Sequence, residues 1–405
     1  MSGTQRRREI NAAHRAEEIY GLIKTEILPH VDELAKCAST RELLAHPRYR
    51  ERERMIQTVL NTPEAGGFAP GAAIEKPAYR VVAYNVERGI QLDGLIEAFQ
   101  SHWYLRGCDV ALLTETDVGM ARSGNRAVAQ ELARELGMHF VFVPCYINLA
   151  KGSGIEYETA GENELGLHGN AILSRYPISR ASAVHLKNGK DKMTGREKRL
   201  GTQTAVIADI ELPNCPITAA SVHLDANSSQ RHRHDQMHDV LQNLDTDRPV
   251  VIGGDWNTTT YNSSHVFHAI LGFWRRVCMG IDYAINSHYL HPESYFERDL
   301  FKLLESRGFD YRRCNQDAEY TATYVPLETK TRKNLGEWVP SWCFPFIRWS
   351  LRNHGGRCPF KLDWFATRGV TCENPVVIHD LREGRSEPLS DHDAIGVEVL
   401  APRDQ

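Results

Sequence analysis

Two hydrophobic rhythms divide the chain. In the first 75 residues Ile19, Leu22, Ile23, Ile27, Val31 and Leu34 recur at helical spacing, with Glu17, Glu18, Lys24, Asp32 and Glu33 between them. Pro29 is expected to kink or divide that helix. Arg48–Arg54 (RYRERER) reads as a solvated helical face, and 61–71 (NTPEAGGFAPG) as a linker. From Tyr79 onward, short apolar runs alternate with helical stretches. Runs rich in β-branched residues at Arg80–Asn85, Val110–Thr114, Phe140–Pro144, Asn170–Ser174, Thr204–Glu211, Ile217–His223, Val250–Gly253 and Trp364–Thr367 predict strands. Leu95–Trp103, Arg126–Leu136, Ser229–Leu244 and Glu297–Ser306 predict helices. This mixture implies a layered α/β (α+β) domain at residues 76–402, preceded by a helical extension and linker at residues 1–75.

Composition narrows the class. Of 405 residues, 41% are hydrophobic and 25% charged, which is globular. The net charge of −4 argues against a surface that is basic throughout, though not against a local basic groove. No apolar run approaches the roughly 18 residues of a spanning helix. The basic start MSGTQRRREI precedes no apolar segment, so a signal peptide is not expected. The nine cysteines are scattered and form no C-x-x-C, which points to buried thiols in a reducing, cytoplasmic setting.

The informative feature is where the strands end. Val81–Tyr84 runs into Asn85, Ala111–Thr114 into Glu115, Ala219–Val222 into His223, and Val250–Gly254 into Asp255, with Asn257 two residues on. Asp391, His392 and Asp393 precede a late apolar stretch. One polar strand end is an ordinary turn former; five in one domain suggest a site held on rigid elements. Carboxylate and amide oxygens suit Mg²⁺ or Mn²⁺, whereas zinc more often recruits Cys and His. Glu115, Asp391 and Asn85, with His223 and His392, fit metal-assisted attack on a phosphate ester.

At these residues the chain resembles the endonuclease/exonuclease/phosphatase superfamily of DNase I-like enzymes. The pieces, in order, are YNVERG (Tyr84–Gly89), LLTETD (Leu112–Asp117), GNAILSRYPI (Gly169–Ile178), SVHLD (Ser221–Asp225), GGDWNT (Gly253–Thr258), KLDWFAT (Lys361–Thr367) and LSDHDAI (Leu389–Ile395). The resemblance implies a four-layer α/β/β/α sandwich of two packed sheets. It also implies a divalent-metal-dependent phosphoesterase, with Glu115, Asn85 and Asp391 on the metal side. Asp255 then orients or deprotonates water, Asn257 and His223 hold the phosphate, and His392 contacts it, oriented by Asp363. Asn170 is expected beside the site. Arg122 and Asn125 either touch substrate or form a solvated loop with a helix cap.

Other features leave alternatives open. Arg231–His234 (RHRH) reads as a solvated face. Lys187–Arg199 lines a polyanion groove or is a polar hairpin loop. Trp338–Trp349 (WVPSWCFPFIRW) is an aromatic lid, an interfacial patch for a lipid, or a satellite core covering the N-terminal extension. The substrate is a nucleic acid, a phospholipid or a sugar phosphate. Against the family pattern, insertions are expected near 260–320 and 325–355; these disfavour a repair-type nuclease, and the lack of a visible signal peptide disfavours a secreted one. A catalytically silent binding module on the same fold is the alternative.

Overall fold

The structure is a computed structural model that describes residues 15–69, 74–244, 247–258, 266–325, 342 and 344–401. Two sheets carry the domain. The first contains β1 (Glu64–Gly67), β2 (Ala78–Arg88), β3 (Val110–Val118), β4 (His139–Asn148), β5 (Leu167–Ser174), β14 (Cys372–Ile378) and β15 (Ala394–Leu400), in the order β1-β4-β5-β3-β2-β15-β14. A short β7 (Arg199–Gly201) also pairs with β4. The second contains β6 (Ile178–Leu186), β8 (Gln203–Ile210), β9 (Ile217–Ser221), β10 (Val250–Asp255) and β13 (Asp363–Arg368), in the order β13-β10-β9-β8-β6. A two-stranded ribbon joins β11 (Ala322–Tyr324) to β12 (Cys358–Phe360).

Alternation along the strands explains the layers. Val81, Ala83, Val110 and Leu112 of the first sheet meet Val206, Ala208, Ala219 and Val251 of the second in one buried cluster. Their neighbours Val82, Tyr84, Ala111 and Leu113 point the other way, against the helices Leu92–Ser101 and Val128–Leu136. Ala220, Val222 and Ile252 turn outward onto the helices Gln230–Gln242 and Arg298–Ser306. Strands covered on both faces read as continuous apolar runs, and these do. The result is the α/β/β/α sandwich expected from the sequence.

The N-terminal helices belong to the same layers. Ile23, Ile27, Leu34, Ile56 and Val59 are buried in the cluster outside the first sheet. Pro29 opens a 3₁₀ turn, Leu28–His30, between a π turn and the short helix Val31–Leu34. The stretch read as a linker contains β1, which pairs antiparallel with β4 from Glu64↔Phe142 to Gly67↔His139. Gly66 and Gly67 fit there because a Cβ would meet Phe140 at 2.7 Å and His139 at 2.3 Å. Residues 70–71 of that stretch lie outside the described residues, as do 1–14 of the extension. The RHRH segment is not a uniformly solvated face: Arg233 is fully buried against Glu297, because the helix Gln230–Gln242 turns it onto the helix Arg298–Ser306.

Candidate active site

The parallel pairs β2/β3 and β9/β10 end at the same edge of the sandwich. Backbone irregularities there re-aim side chains. The β2/β3 register shifts between Asn85 and Arg88, and the β3/β5 register between Leu113 and Thr116. Glu87, Arg88, Glu115 and Asn257 all adopt positive φ (46°, 64°, 58° and 52°), which is costly for residues with a Cβ. Such outliers persist where surrounding contacts over-determine them, and several of those contacts are visible. The Asn170 amide oxygen accepts from the Glu115 N–H at 3.2 Å, and the Asn170 Nδ2 donates to the Thr204 carbonyl at 2.8 Å. The Asp255 carboxylate accepts from the Asn257 N–H at 2.9 Å.

One oxygen organises the centre. Asp255 Oδ2 lies 3.1 Å from Asn85 Nδ2, 3.4 Å from His223 Nε2 and 3.7 Å from His392 Nε2. The Nδ1 of His392 lies 2.8 Å from Asp363 Oδ2, which also accepts from the Thr321 hydroxyl at 2.7 Å. The Ser390 hydroxyl donates to the Asn85 carbonyl at 2.6 Å and accepts from the His392 N–H at 3.1 Å, fastening the β2 end to the loop before β15. The Nδ2 of Asn257 donates to the Leu224 carbonyl at 3.0 Å. Asn85, His223, Asp255, Asn257, Asp363 and His392 are thus gathered and buried. Asp391 is exposed at the rim.

Burial and neighbouring charge set the protonation. Burial pushes the Asp255 carboxyl up to about 6, against the opposing pull of His392 and His223. For His392, burial favours the neutral ring, but Asp363, Asp255 and Asp391 outweigh it and raise its pKa well above the usual value. His223 moves the other way, because its burial outweighs Asp255 and Glu115. Glu115 is held well below the usual carboxylate range, its desolvation overcome by Arg88 and nearby histidines. One histidine is therefore favoured charged and one neutral around a single carboxylate.

Arg122 and Asn125 are not among the gathered residues. The Arg122 side chain is 1% exposed. It forks onto Asp117 at 2.7 and 3.0 Å and reaches Glu156 at 3.0 Å and Glu197 at 2.8 Å. Asn125 ties two backbone groups, donating to the Glu162 carbonyl and accepting from the Glu164 N–H. From the Lys187–Arg199 loop, Lys192 pairs with Asp225 at 2.9 Å, and Lys198 donates to the carbonyls of Ala35 and Cys37.

Sequence reasoning assigned no role to Arg88, Thr321 or Ser390. Arg88 lies within YNVERG, yet nothing in the motif shows that its guanidinium bridges Glu115 (2.9 Å) to Glu156 (3.0 Å). Thr321 lies just before β11 and has no local signal. The proximity of Ser390 to His392 was the only available hint.

Residues 82–392 match the model of the Endonuclease/Exonuclease/phosphatase family. The chain belongs to that family. No curated protein matches it. Among solved structures, an endonuclease/exonuclease/phosphatase from Beutenbergia cavernae DSM 12333 is similar at 14% identity and TM-score 0.49, covering 80% of this chain and 72% of that one. The human Nocturnin catalytic domain with bound sulfate aligns at 15% identity and TM-score 0.43, covering 81% and 95%. An AP endonuclease from Archaeoglobus fulgidus aligns at 14% identity and TM-score 0.44, covering 79% and 98%. Members of the endonuclease/exonuclease/phosphatase family act on phosphate esters, and the family generally depends on a divalent metal.

Proposed function

We propose that this protein hydrolyses phosphodiesters by in-line attack of water, with a divalent cation, Mg²⁺ or Mn²⁺, held on Glu115 with Asn85 and Asp391. The observation that carries the reading is the ring of Asn85, His223 and His392 around Asp255 Oδ2. It joins a base of raised pKa to donors that suit a phosphate oxygen.

The donor chemistry fits a hard cation. Glu115 offers an ionised carboxylate at the site mouth, and Asn85 an amide oxygen whose only described hydrogen bond comes from the Glu87 N–H. Asp255, Asp363 and His392 also place donor atoms within 4.8 Å of one another. That trio suits a proton relay better, because His392 Nδ1 is already engaged by Asp363. A cation bound at Glu115 supplies neutralisation of the phosphate charge.

The chain's own residues do the rest. Asp255 accepts a proton from water as the water oxygen attacks phosphorus and the bond to the leaving oxygen breaks. Protonated His392, kept so by Asp363, donates to a non-bridging oxygen as charge builds. His223 and Asn257 fix the phosphate, and Asn85 orients Asp255.

The test is hydrolysis of bis-p-nitrophenyl phosphate with Mg²⁺, with Mn²⁺ and with EDTA, alongside His392→Ala. Turnover should require metal and fall by about a thousandfold or more in the variant, while the melting temperature is retained. A folded protein that is silent toward this ester and toward DNA, RNA and phospholipid in either metal would sink the proposal and favour a binding module.

A further inference from the structure

The long insertion between β10 and β13 carries an exposed aromatic face that the site does not use. Its base is a satellite cluster of Ile285, Tyr289, Leu351 and Cys358, joined by Ile347, Tyr324 and Phe360. The helix Phe344–Ser350 therefore turns Ile347 inward, with Leu351 just beyond its end. Its other side is left in water: Phe346 is 48% and Trp349 60% exposed, with Trp342 just upstream at 53%. The helix Val266–Met279 abuts this surface, with Trp274 and Phe346 ring centroids 5.8 Å apart, and adds Leu271 at 57% exposure. Of the described residues of the aromatic segment, Ile347 joins this cluster beside 281–290 and none joins the cluster that holds the N-terminal extension. Trp338 and Pro340 lie outside the described residues.

Charge says what such a face suits. Residues 266–283 and 342–358 contain five arginines and one carboxylate, Asp282, in a chain of net charge −4. Arg276 turns inward onto the Tyr289 and Phe296 rings and Arg357 faces Glu383 at 3.8 Å, so Arg275, Arg348 and Arg352 are the exposed cations of this surface. Asp282 is itself paired with His354. The Arg352 guanidinium sits 4.5 Å over the Trp349 ring, so cation and indole are presented together. Tryptophan, phenylalanine and leucine interleaved with arginine match the headgroup boundary of an anionic bilayer. Large apolar side chains gathered on neighbouring elements are seldom left in water without use.

The face is also tied to the catalytic edge. The insertion leaves the sandwich at Thr258, whose hydroxyl donates to the Lys361 carbonyl and accepts from Trp364 Nε1. Its β11/β12 ribbon starts beside Thr321, the Asp363 partner, and Ala322 bridges to His392. We propose that this aromatic and arginine face docks on an anionic lipid surface, so that the phosphoesterase acts on phospholipid headgroups at a membrane. The choice of substrate rests on the phosphoesterase reading; the docking does not.

The experiment separates the two. Wild type and the triple variant Leu271→Ser/Phe346→Ser/Trp349→Ser are sedimented in EDTA with phosphatidylcholine vesicles containing about 30 mol% phosphatidylglycerol. Wild type should sediment, and the variant should lose about tenfold or more in partitioning, with binding weakened by added salt. Hydrolysis of bis-p-nitrophenyl phosphate should be equal in both, and release of phosphorylated headgroup from the vesicles should fall only in the variant. Wild type left in the supernatant, or a variant that sediments equally, overturns the docking. A dimer dissolved by the variant, without vesicle binding, overturns it in favour of self-association. Vesicle binding without hydrolysis of the vesicle lipid leaves docking standing and removes phospholipid as the substrate.

Discussion

Replacing Arg122 by Met tests whether this arginine is part of the interior. The side chain is close in length, but the guanidinium that forks onto Asp117 is gone. Three carboxylates lose a partner, yet the penalties do not sum. Glu156 keeps Arg88 at 3.0 Å, and Glu197 keeps Arg199 at 3.1 Å. Among the described residues Asp117, fully buried, keeps only His168 at 2.7 Å and the Ser123 hydroxyl at 3.3 Å as side-chain partners. The cost is thus that of one uncompensated buried charge, about 3–5 kcal/mol. At roughly 2 cal/mol/K of unfolding entropy per residue, that lowers the melting temperature by about 4–6 °C. Asp117 is held below its usual pKa by Arg122 and His168, which outweigh its burial. Its contribution is therefore present above the unfolded carboxylate pKa and lost as pH falls through the depressed folded value. The gap between wild type and variant should narrow toward acid. Calorimetry across pH measures this, and adding Asp117→Asn to the variant should recover part of the loss. A melting temperature within about 1 °C of wild type, with KM raised, would refute the reasoning and return Arg122 to the substrate.

Gly254 has φ +135°, and a Cβ there would lie 2.3 Å from the Val222 carbonyl, one residue before Asp255. Gly254→Ala should cost roughly 3 kcal/mol or more and most of the activity, while Gly195→Ala, with open space around it, should change neither; urea melts and ester hydrolysis check both. His379 is raised above its usual pKa by its hydrogen bond to Asp393, 2.9 Å away, against the effect of burial. Its stabilisation is then complete below about pH 6.5 and lost as pH rises through the folded value, so the stability difference between wild type and His379→Gln should be larger at acid than at alkaline pH in paired denaturant melts.

Strand and layer structure was readable because it is written locally. Runs such as Val81–Tyr84 and Val250–Ile252 carry their own β propensity, and a polar residue follows the apolar run at each end. The polar strand ends therefore pointed to one edge before any contact was known, and the structure gathers Asn85, His223 and Asp255 there. What could not be read depends on partners distant in sequence. Arg122 looks like a loop residue until Glu156 and Glu197 close over it. Thr321 gains meaning only from Asp363, 42 residues on. Asn61–Gly71 has the composition of a linker, and only the free edge of β4 makes a strand of it.

The order of strands in the first sheet has a consequence for biogenesis. β15 does not lie at an edge; it sits between β2 and β14, pairing Ile395 with Ala83 and Leu400 with Ala78. The Ser390 clasp on Asn85 spans 305 residues. During synthesis, β2 must wait with one side unpaired until nearly the whole domain has left the ribosome, and a loop of that length makes closure slow. His392 arrives with the same segment. A nascent chain can therefore acquire most of its layers, but neither a closed sheet nor a competent site, before β15 is in place. The interval before closure is when an unpaired strand edge is most exposed to aggregation and to chaperones.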